Sequence, residues 1–337
     1  MKIVNSKSLI KYNTFNVNAQ AEFFSGVKND EELRELLNHI KFKNINKFIL
    51  GGGSNILITK NITGLVIHNQ IKGCYIIQDS PDYVIVEIGA GETWHHIVEW
   101  STNHNLYGIE NLSLIPGYVG ATPIQNIGAY GSELKDVFVS LDAIDLFNQE
   151  KLILDKKDCK FSYRDSIFKN KYKNQFIITK VRLKLSKNNS NINLSYKTLA
   201  EKVSRLDKKI LSSRDISNLI IQIRQSKLPN PNHIGNAGSF FKNPTVTQQE
   251  LNNLQDKHKD IPYFQKDNIK IPAGWLIEQL NWKGYRNKSC GVYEHQALVL
   301  INHNKATGNE IKELANTIKQ HVNTKFNINL EEEVSII

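Results

Sequence analysis

Ile49-Leu50-Gly51-Gly52-Gly53-Ser54-Asn55-Ile56-Leu57-Ile58 puts three consecutive glycines between two β-branched, apolar runs. This arrangement constrains the chain more than any other segment. A dinucleotide fingerprint of the common doubly wound type needs a helix directly after its glycines, because the helix N-terminus binds the pyrophosphate. Here Ile56-Leu57-Ile58 resumes a strand within three residues. No G-x-x-x-x-G-K-[ST] occurs either, so a P-loop is excluded. Two readings remain. Amides from Gly51 to Asn55, free of Cβ obstruction, can converge on a phosphate as a nest, or the glycines form a tight hairpin.

The segments around this motif read as α+β. Asn29-Asp30-Glu31-Glu32 opens a helix running to Ile40, with a capping residue and an acidic first turn. Tyr83 to Ile88 reads as a strand that turns at Gly89-Ala90-Gly91 and enters a helix with Thr93 as its cap; the turn is read as structural. Strands return at VFVSLDAIDLF and FIITKVRLKL, and 186–193 is a polar loop. Residues 215–229 form a helix ending before Pro229. Further on, 273–282 and 309–326 read as helices around the strand HQALVLIN, and INLEEEVSII is expected to be a strand. Boundaries are expected near 65–80 and 215–235.

With 337 residues, of which 40% are hydrophobic and 23% charged, the chain can bury a core without disulfides or metal. Cys74, Cys159 and Cys290 are far apart and odd in number, which argues for a reducing compartment and against a zinc site. The N-terminal MKIVNSKSLIKYN has no long apolar segment and no run approaches a membrane span, so a cytoplasmic location is expected. Net charge is +10, but only seven of the 43 basic residues are Arg. Scattered lysines read as a solvated surface rather than a nucleic-acid face, and an anionic small substrate suits the same charge.

Residues 116–131, PGYVGATPIQNIGAYG, contain four glycines, two prolines and no charge. Loops normally face water, so an uncharged one of this length is expected to pack against something, and a large flat cofactor would serve. Ser239, in GNAGSFFKNP, reads either as a turn serine or as a neutral proton donor, which would serve only a strongly basic centre such as an enolate. No G-x-S-x-G elbow makes it a nucleophile. Arg164 in YRDSIF either pairs with Asp165 or grips a carboxylate with its forked guanidinium. Glu331, Glu332 and Glu333 are a solvated run, or a strand presenting one face to a site. His95 and His96 lack the spacing and third ligand of a metal site and read as surface or packing residues.

LGGGSNILI, IPGYVGATPIQNIGAYGSE, YRDSIFK, KLPNPNHIGNAGSFFKNP, AGWLIEQLNWKG, HQALVLIN and LEEEV, in this order from about residue 15 to the end, closely resemble the UDP-N-acetylenolpyruvoylglucosamine reductase family. The resemblance implies an FAD-binding fold of the vanillyl-alcohol-oxidase (PCMH-type) class in two N-terminal subdomains. These would be 1–70, joined by a C-terminal strand 327–337, and 71–225, followed by an α+β substrate domain at 226–326. It implies non-covalent FAD held by Gly51, Gly52, Gly53, Ser54 and Asn55 and by Pro116, Gly117, Gly120, Ala121, Gln125, Asn126, Gly128, Ala129 and Tyr130, with NADPH as hydride donor. It further implies that Ser239 protonates C2 of a UDP-sugar enolpyruvyl substrate while Arg164 and Glu333 stabilise the enolate. Tyr196, Arg224, Lys227, Asn243, Lys283 and Gln296 would face that substrate, with Lys242 near its diphosphate, in a monomer with no nucleic-acid partner and no membrane insertion. The family commonly ends in Glu-Pro-Glu-Val. Here Glu332 stands for the proline, and Glu331 competes with Glu333 for the site. Two other classes suit the sequence less well. A flavin oxidase that tethers its cofactor often does so through His, and neither glycine loop contains one. An RNA-binding module would interleave aromatics with Arg in its strands.

Overall fold

The computed structural model describes residues 2–189, 192–206, 210–265 and 268–337. The chain divides into two compact units, each assembled from three stretches. The first is Met1–Lys7, Ala21–Gly52 and Ile62–Arg224, and the second is Ser8–Gln20, Gly53–Asn61 and Gln225–Ile337.

The first unit begins with a sheet of β1 (Ile3–Ser8), β2 (Gln20–Val27), β3 (Lys47–Leu50) and β4 (Ile62–Asn69), in the order β1-β2-β4-β3. β2 and β3 both run parallel to β4. Helix α1 (Asp30–Asn38) starts where the Asn29 side chain accepts the Glu32 N–H at 2.8 Å, and it buries Leu33, Leu36 and Leu37 against this sheet's core. That i, i+3, i+4 spacing gives the helix its apolar face.

A second, antiparallel sheet follows. Its strands are β5 (Cys74–Asp79), β6 (Tyr83–Gly89), β7 (Phe138–Asp145), β8 (Lys151–Asp155) and β9 (Phe176–Ser186), ordered β8-β7-β9-β6-β5. Register pairs Val181 with Ile88 and Leu183 with Val86 on the buried face, where α2 (Trp94–Asn103) contributes Trp94, Ile97 and Val98. Arg182 pairs with Glu87 on the opposite face, and its guanidinium also reaches Asp142 at 2.7 Å. Period-two alternation thus separates an apolar from an ionic face. Thr93 holds the N-cap position of α2, but its side chain makes no capping bond. Helices α3 (Lys197–Val203) and α4 (Ser213–Lys227) bury Leu199, Ile216, Leu219, Ile220 and Ile223 in a core of their own. Part of the polar loop read at 186–193, Ser190 and Asn191, lies outside the described residues.

The second unit has helices α5 (Gln248–Lys257), α6 (Ala273–Glu278) and α7 (Gly308–Phe326). Its largest sheet consists of β10 (Gly235–Ser239), β11 (Cys290–Val292) and β12 (Val299–Asn302), antiparallel and ordered β10-β12-β11. Its core joins Phe240, Phe241, Leu276, Leu300, Ile311 and Ile318 to Phe15, Val17 and Leu57 from the two early stretches. Thr307 and Glu310 form a capping box at the start of α7.

Three expectations need correcting. The triple glycine is not a hairpin, because β3 pairs with β4 while Ile56–Leu57 pairs in parallel with Ser335–Ile336. The helix expected over 273–282 stops at Glu278, and Asn281 takes a left-handed conformation at φ 57°. The C-terminal segment is not a continuous strand. Only Ser335–Ile336 is one, preceded by a single bridge between Glu332 and Phe241. The strand Cys74–Asp79 and the helix Gln248–Lys257 were not anticipated, although Thr247-x-x-Glu250 is a legible capping box. No helix among the described residues is long and apolar enough to cross a membrane.

Candidate active site

Gly51 and Gly52 lie at the end of β3 against the uncharged loop. A Cβ on Gly52 would sit 2.8 Å from the Gly117 Cα, and one on Gly51 would sit 3.6 Å from the Tyr118 Cβ. Gly53 is buried in a left-handed conformation, φ 62°, where a Cβ would come within 1.9 Å of the Tyr12 carbonyl oxygen. Among the described residues, neither the Gly52 nor the Gly53 N–H has an acceptor. Ser54 and Asn55 continue the turn, and the Asn55 side chain donates to the Glu333 carbonyl at 3.1 Å.

The loop from Pro116 is pinned by backbone bonds. The Trp94 N–H donates to the Gly117 carbonyl at 3.0 Å, Val119 to Glu92 at 2.9 Å and Gly120 to Ala90 at 2.8 Å. Gly120 packs so closely that a Cβ would lie 2.7 Å from that of Ala90. Ala121 closes a 3₁₀ turn begun at Val119, and Gln125 follows it. Asn126 is fully buried, and its side chain is committed to the loop. It donates to the Ser162 carbonyl and the Glu133 carboxylate and accepts from the Lys135 N–H. Gly128–Ala129 pairs with Ser132–Glu133. The Tyr118 ring stacks on His68 with centroids 5.8 Å apart, and Lys72 lies over its ring at 5.4 Å. Burial, with Lys72 adding to it, holds His68 below its usual imidazole pKa.

A cationic corner forms at the loop's end. Arg164, itself left-handed at φ 54°, donates to the Gly128 carbonyl at 2.6 Å. Arg224 on α4 interacts with the Tyr130 hydroxyl, and the Tyr130 ring meets Tyr196 edge-on at 5.0 Å. Burial pushes the Arg224 guanidinium down from its ordinary pKa, Tyr130 opposes this, and the nearby Arg164 adds to it. Two guanidinium groups within electrostatic reach of each other favour an anionic ligand.

In the second unit, β10 bulges between Asn236 and Ser239, and Gly238 takes φ 68°. Ser239 then stands opposite Val299, and the following Phe240 and Phe241 are buried. Among the described residues, the half-buried Ser239 hydroxyl has no hydrogen-bond partner. The Glu333 N–H donates to the Phe240 carbonyl at 2.8 Å, so the C-terminal segment is fastened one residue along from Ser239. The three glutamates divide: Glu331 pairs with Lys242 at 3.1 Å and Glu332 with Lys319 at 2.7 Å, and neither pairing involves Glu333. Asn243 accepts the Ala273 N–H at the start of α6, Lys283 pairs with Glu278, and Gln296 accepts from Leu298. Lys227 ends α4. Ser239 and Glu333 are thus brought together in one unit, while Arg164 and Arg224 share the other.

His68 and the role of His95 were not anticipated. His95 Nδ1 accepts the Leu114 N–H at 3.0 Å just ahead of the uncharged loop. A histidine in an otherwise apolar strand, GLVIH, was the available signal for His68. Among the described residues no three His, Cys, Asp or Glu side chains are grouped to hold a metal.

Residues 21–148 match an FAD-binding domain, and residues 230–337 match the C-terminal domain of UDP-N-acetylenolpyruvoylglucosamine reductase. A protein of that name from Flavobacterium johnsoniae is 47% identical, with the whole of both chains covered. One from Pseudomonas aeruginosa is 41% identical over 98% of this chain and 97% of its own. The crystal structure of the Thermus caldophilus UDP-N-acetylenolpyruvylglucosamine reductase shares the fold, with a TM-score of 0.67 over 99% of this chain and 98% of that one at 20% identity. Full-length identity at this level, with both domain matches in the same order, shows that the chain belongs to the UDP-N-acetylenolpyruvoylglucosamine reductase family of FAD-dependent oxidoreductases.

Proposed function

We propose that the chain reduces UDP-N-acetylglucosamine-enolpyruvate to UDP-N-acetylmuramate for peptidoglycan synthesis, with NADPH as reductant, as a monomer in the cytoplasm. Gly51–Asn55 and the loop from Pro116 to Tyr130 are the FAD seat in this reading. Two features support the fit. The Gly52 and Gly53 amides have no acceptor among the described residues, and a Cβ at Gly52 would press into Gly117. Amides without internal acceptors in a left-handed turn suit a diphosphate. FAD held there would supply the hydride chemistry directed at C3 of the enolpyruvyl group.

The chain's own residues manage the charge that follows. Arg164 grips the substrate carboxylate, into which the electrons delocalise, and a forked guanidinium does this better than an ammonium. Glu333 is assigned with Arg164 to stabilising the enolate. Ser239 then gives its proton to C2. An aliphatic hydroxyl is too weak an acid to protonate anything less basic, so the proton moves only after the hydride has arrived. Tyr196, Arg224, Lys227, Asn243, Lys283 and Gln296 hold the nucleotide-sugar. Asn243 suits that role as a donor, since its carbonyl oxygen is occupied by the Ala273 N–H at 3.0 Å.

The observation that carries the reading is the Ser239 hydroxyl, half-buried on a bulge and without a partner among the described residues. Stopped-flow kinetics test it. With Ser239→Ala, reduction of bound flavin by NADPH should stay within about twofold of the parent, while flavin reoxidation by the enolpyruvyl substrate slows by roughly 10²–10⁴. Equal losses in both half-reactions would remove Ser239 as the proton donor.

A further inference from the structure

Thr14 lies in a segment from which the sequence offered no site residue. The segment is rigid. Buried Asn13 clamps its own turn, with its side chain donating to the Leu9 and Val17 carbonyls at 2.8 and 3.0 Å and accepting the Val17 N–H at 3.0 Å. Phe15, on the other side, is fully buried. Thr14 itself is fixed at both backbone groups. Its N–H donates to the Gly53 carbonyl at 3.0 Å, and its carbonyl accepts the Asn236 N–H at 2.9 Å.

The Thr14 hydroxyl, by contrast, is buried and has no partner among the described residues. A hydroxyl rotates freely and nearly always finds an acceptor, so an orphan on an immobilised backbone calls for an explanation. Its setting supplies one. Thr14 is bonded to buried Gly53, whose own N–H also lacks an acceptor among the described residues, and the N–H of half-buried Gly52 beside it lacks one too. Two chain segments therefore bring unpartnered donors to a single turn. Such donors match phosphate oxygens, and hydrogen bonds to an ionised acceptor are roughly twice as strong as neutral ones.

We propose that Thr14 is a ligand of the FAD diphosphate, its hydroxyl donating to a phosphate oxygen alongside the amides of Gly52 and Gly53. The inference rests on the reading that Gly51–Asn55 seats that diphosphate. It predicts a double signature. Thr14→Val keeps the shape and removes the donor. In flavin-free protein this deletes a buried, unsatisfied group, which is neutral or stabilising. In the presence of cofactor it deletes a charge-assisted bond.

The test uses the full chain stripped of flavin. Affinities for FAD, ADP and riboflavin are measured by fluorescence and calorimetry for the parent, Thr14→Val and Thr14→Ser, together with the thermal midpoint of each flavin-free protein. Thr14→Val should weaken FAD and ADP by about tenfold or more, leave riboflavin unchanged, and melt no lower than the parent. Thr14→Ser should bind FAD nearly as the parent does. If Thr14→Val binds FAD and ADP within about twofold of the parent, or if its flavin-free form melts markedly lower, the hydroxyl serves the fold and the proposal fails. Amide resonances of Gly52 and Gly53, followed as ADP is added to the parent, separate the two layers. If they move while Thr14→Val binds normally, only the role of Thr14 falls; if they do not move, the diphosphate seat falls with it.

Discussion

Gly53 and Gly238 are both left-handed, at φ 62° and 68°, yet their surroundings differ. A Cβ at Gly53 would meet the Tyr12 carbonyl oxygen at 1.9 Å, whereas one at Gly238 would meet nothing within 4 Å. Gly238→Ala should therefore cost about 1–2 kcal/mol from backbone conformation alone. Gly53→Ala should cost well beyond that, because the obstacle is backbone and cannot swing aside. Urea unfolding of the two variants compares them directly, and equal losses would mean that crowding at Gly53 relaxes freely. Both glycines stood in motifs that the sequence made conspicuous. What no motif conveyed was which one is enforced by collision and which only by torsion, since that depends on residues 12 and 13 folding back onto Gly53. The glutamates show the same limit. Strand parity grouped Glu331 with Glu333, but Lys242 pairs with Glu331 and Lys319 with Glu332. Those partners sit 89 and 13 residues away in sequence.

Helix α2 does more than cover a sheet. His95 Nδ1 accepts the Leu114 N–H, and Leu114 is itself left-handed at φ 58°, a conformation costly for a residue with a Cβ. The Ser113 hydroxyl beside it bonds to the Glu110 carbonyl at 2.6 Å and to Ser217 on α4 at 2.8 Å. The strained turn that leads into Pro116 is thus held from α2 and α4. The latch requires an unprotonated Nδ1. Burial lowers the His95 pKa, His96 on the same helix and Arg224 on α4 lower it further, and Glu99 works in the opposite direction. A depressed folded-state pKa means that the latch is intact above the ordinary value near 6.5 and is lost as pH falls through the lower folded value. FAD affinity should therefore drop on acidification across that window. His95→Asn, whose carbonyl oxygen can take the place of Nδ1, should flatten the profile. His95→Leu should bind weakly at every pH, by roughly 0.5–1.5 kcal/mol for the lost bond. Fluorescence titrations between pH 5 and 8 read this out, and parallel profiles for the parent and His95→Asn would sink the latch. At this scale the sequence was legible wherever amphipathic spacing or a cap was strong, as in α1, α4 and α7. It was opaque at β5, an edge strand on which Tyr75, Ile76 and Ile77 are all exposed and the register shifts between Ile76 and Gln78, so no period of two marks a buried face.

The order of motifs along the chain identified the family but did not reveal how the chain is threaded. Each unit takes three separate stretches, and the second draws Phe15, Val17 and Leu57 into a core otherwise built from residues after 236. The attachments are specific. Phe15 meets Phe240 edge-on at 6.2 Å, and the Asn302 side chain donates to the Phe15 carbonyl at 2.8 Å. Ile56–Leu57 supplies the strand on which Ser335–Ile336 pairs, and Gly308 sits so close to Ile58 that a Cβ would lie 2.0 Å from its carbonyl oxygen. Hydrophobic periodicity cannot announce such threads, because two-residue strands and single anchors carry no period. Their energetic weight can still be bounded. Emptying the sites of one buried Phe, one Leu and one Val costs about 2–5 kcal/mol for each of the larger two, against a total stability of roughly 5–15 kcal/mol for a domain. A fragment of residues 225–337, though it spans the whole C-terminal family match, should therefore lack a cooperative melting transition and bind a hydrophobic dye. A chain that joins 8–20 and 53–61 to it through flexible linkers should regain the transition. Circular dichroism melts decide the matter: if the bare fragment unfolds cooperatively and as late as the rejoined one, the early threads are not part of this unit's folding core.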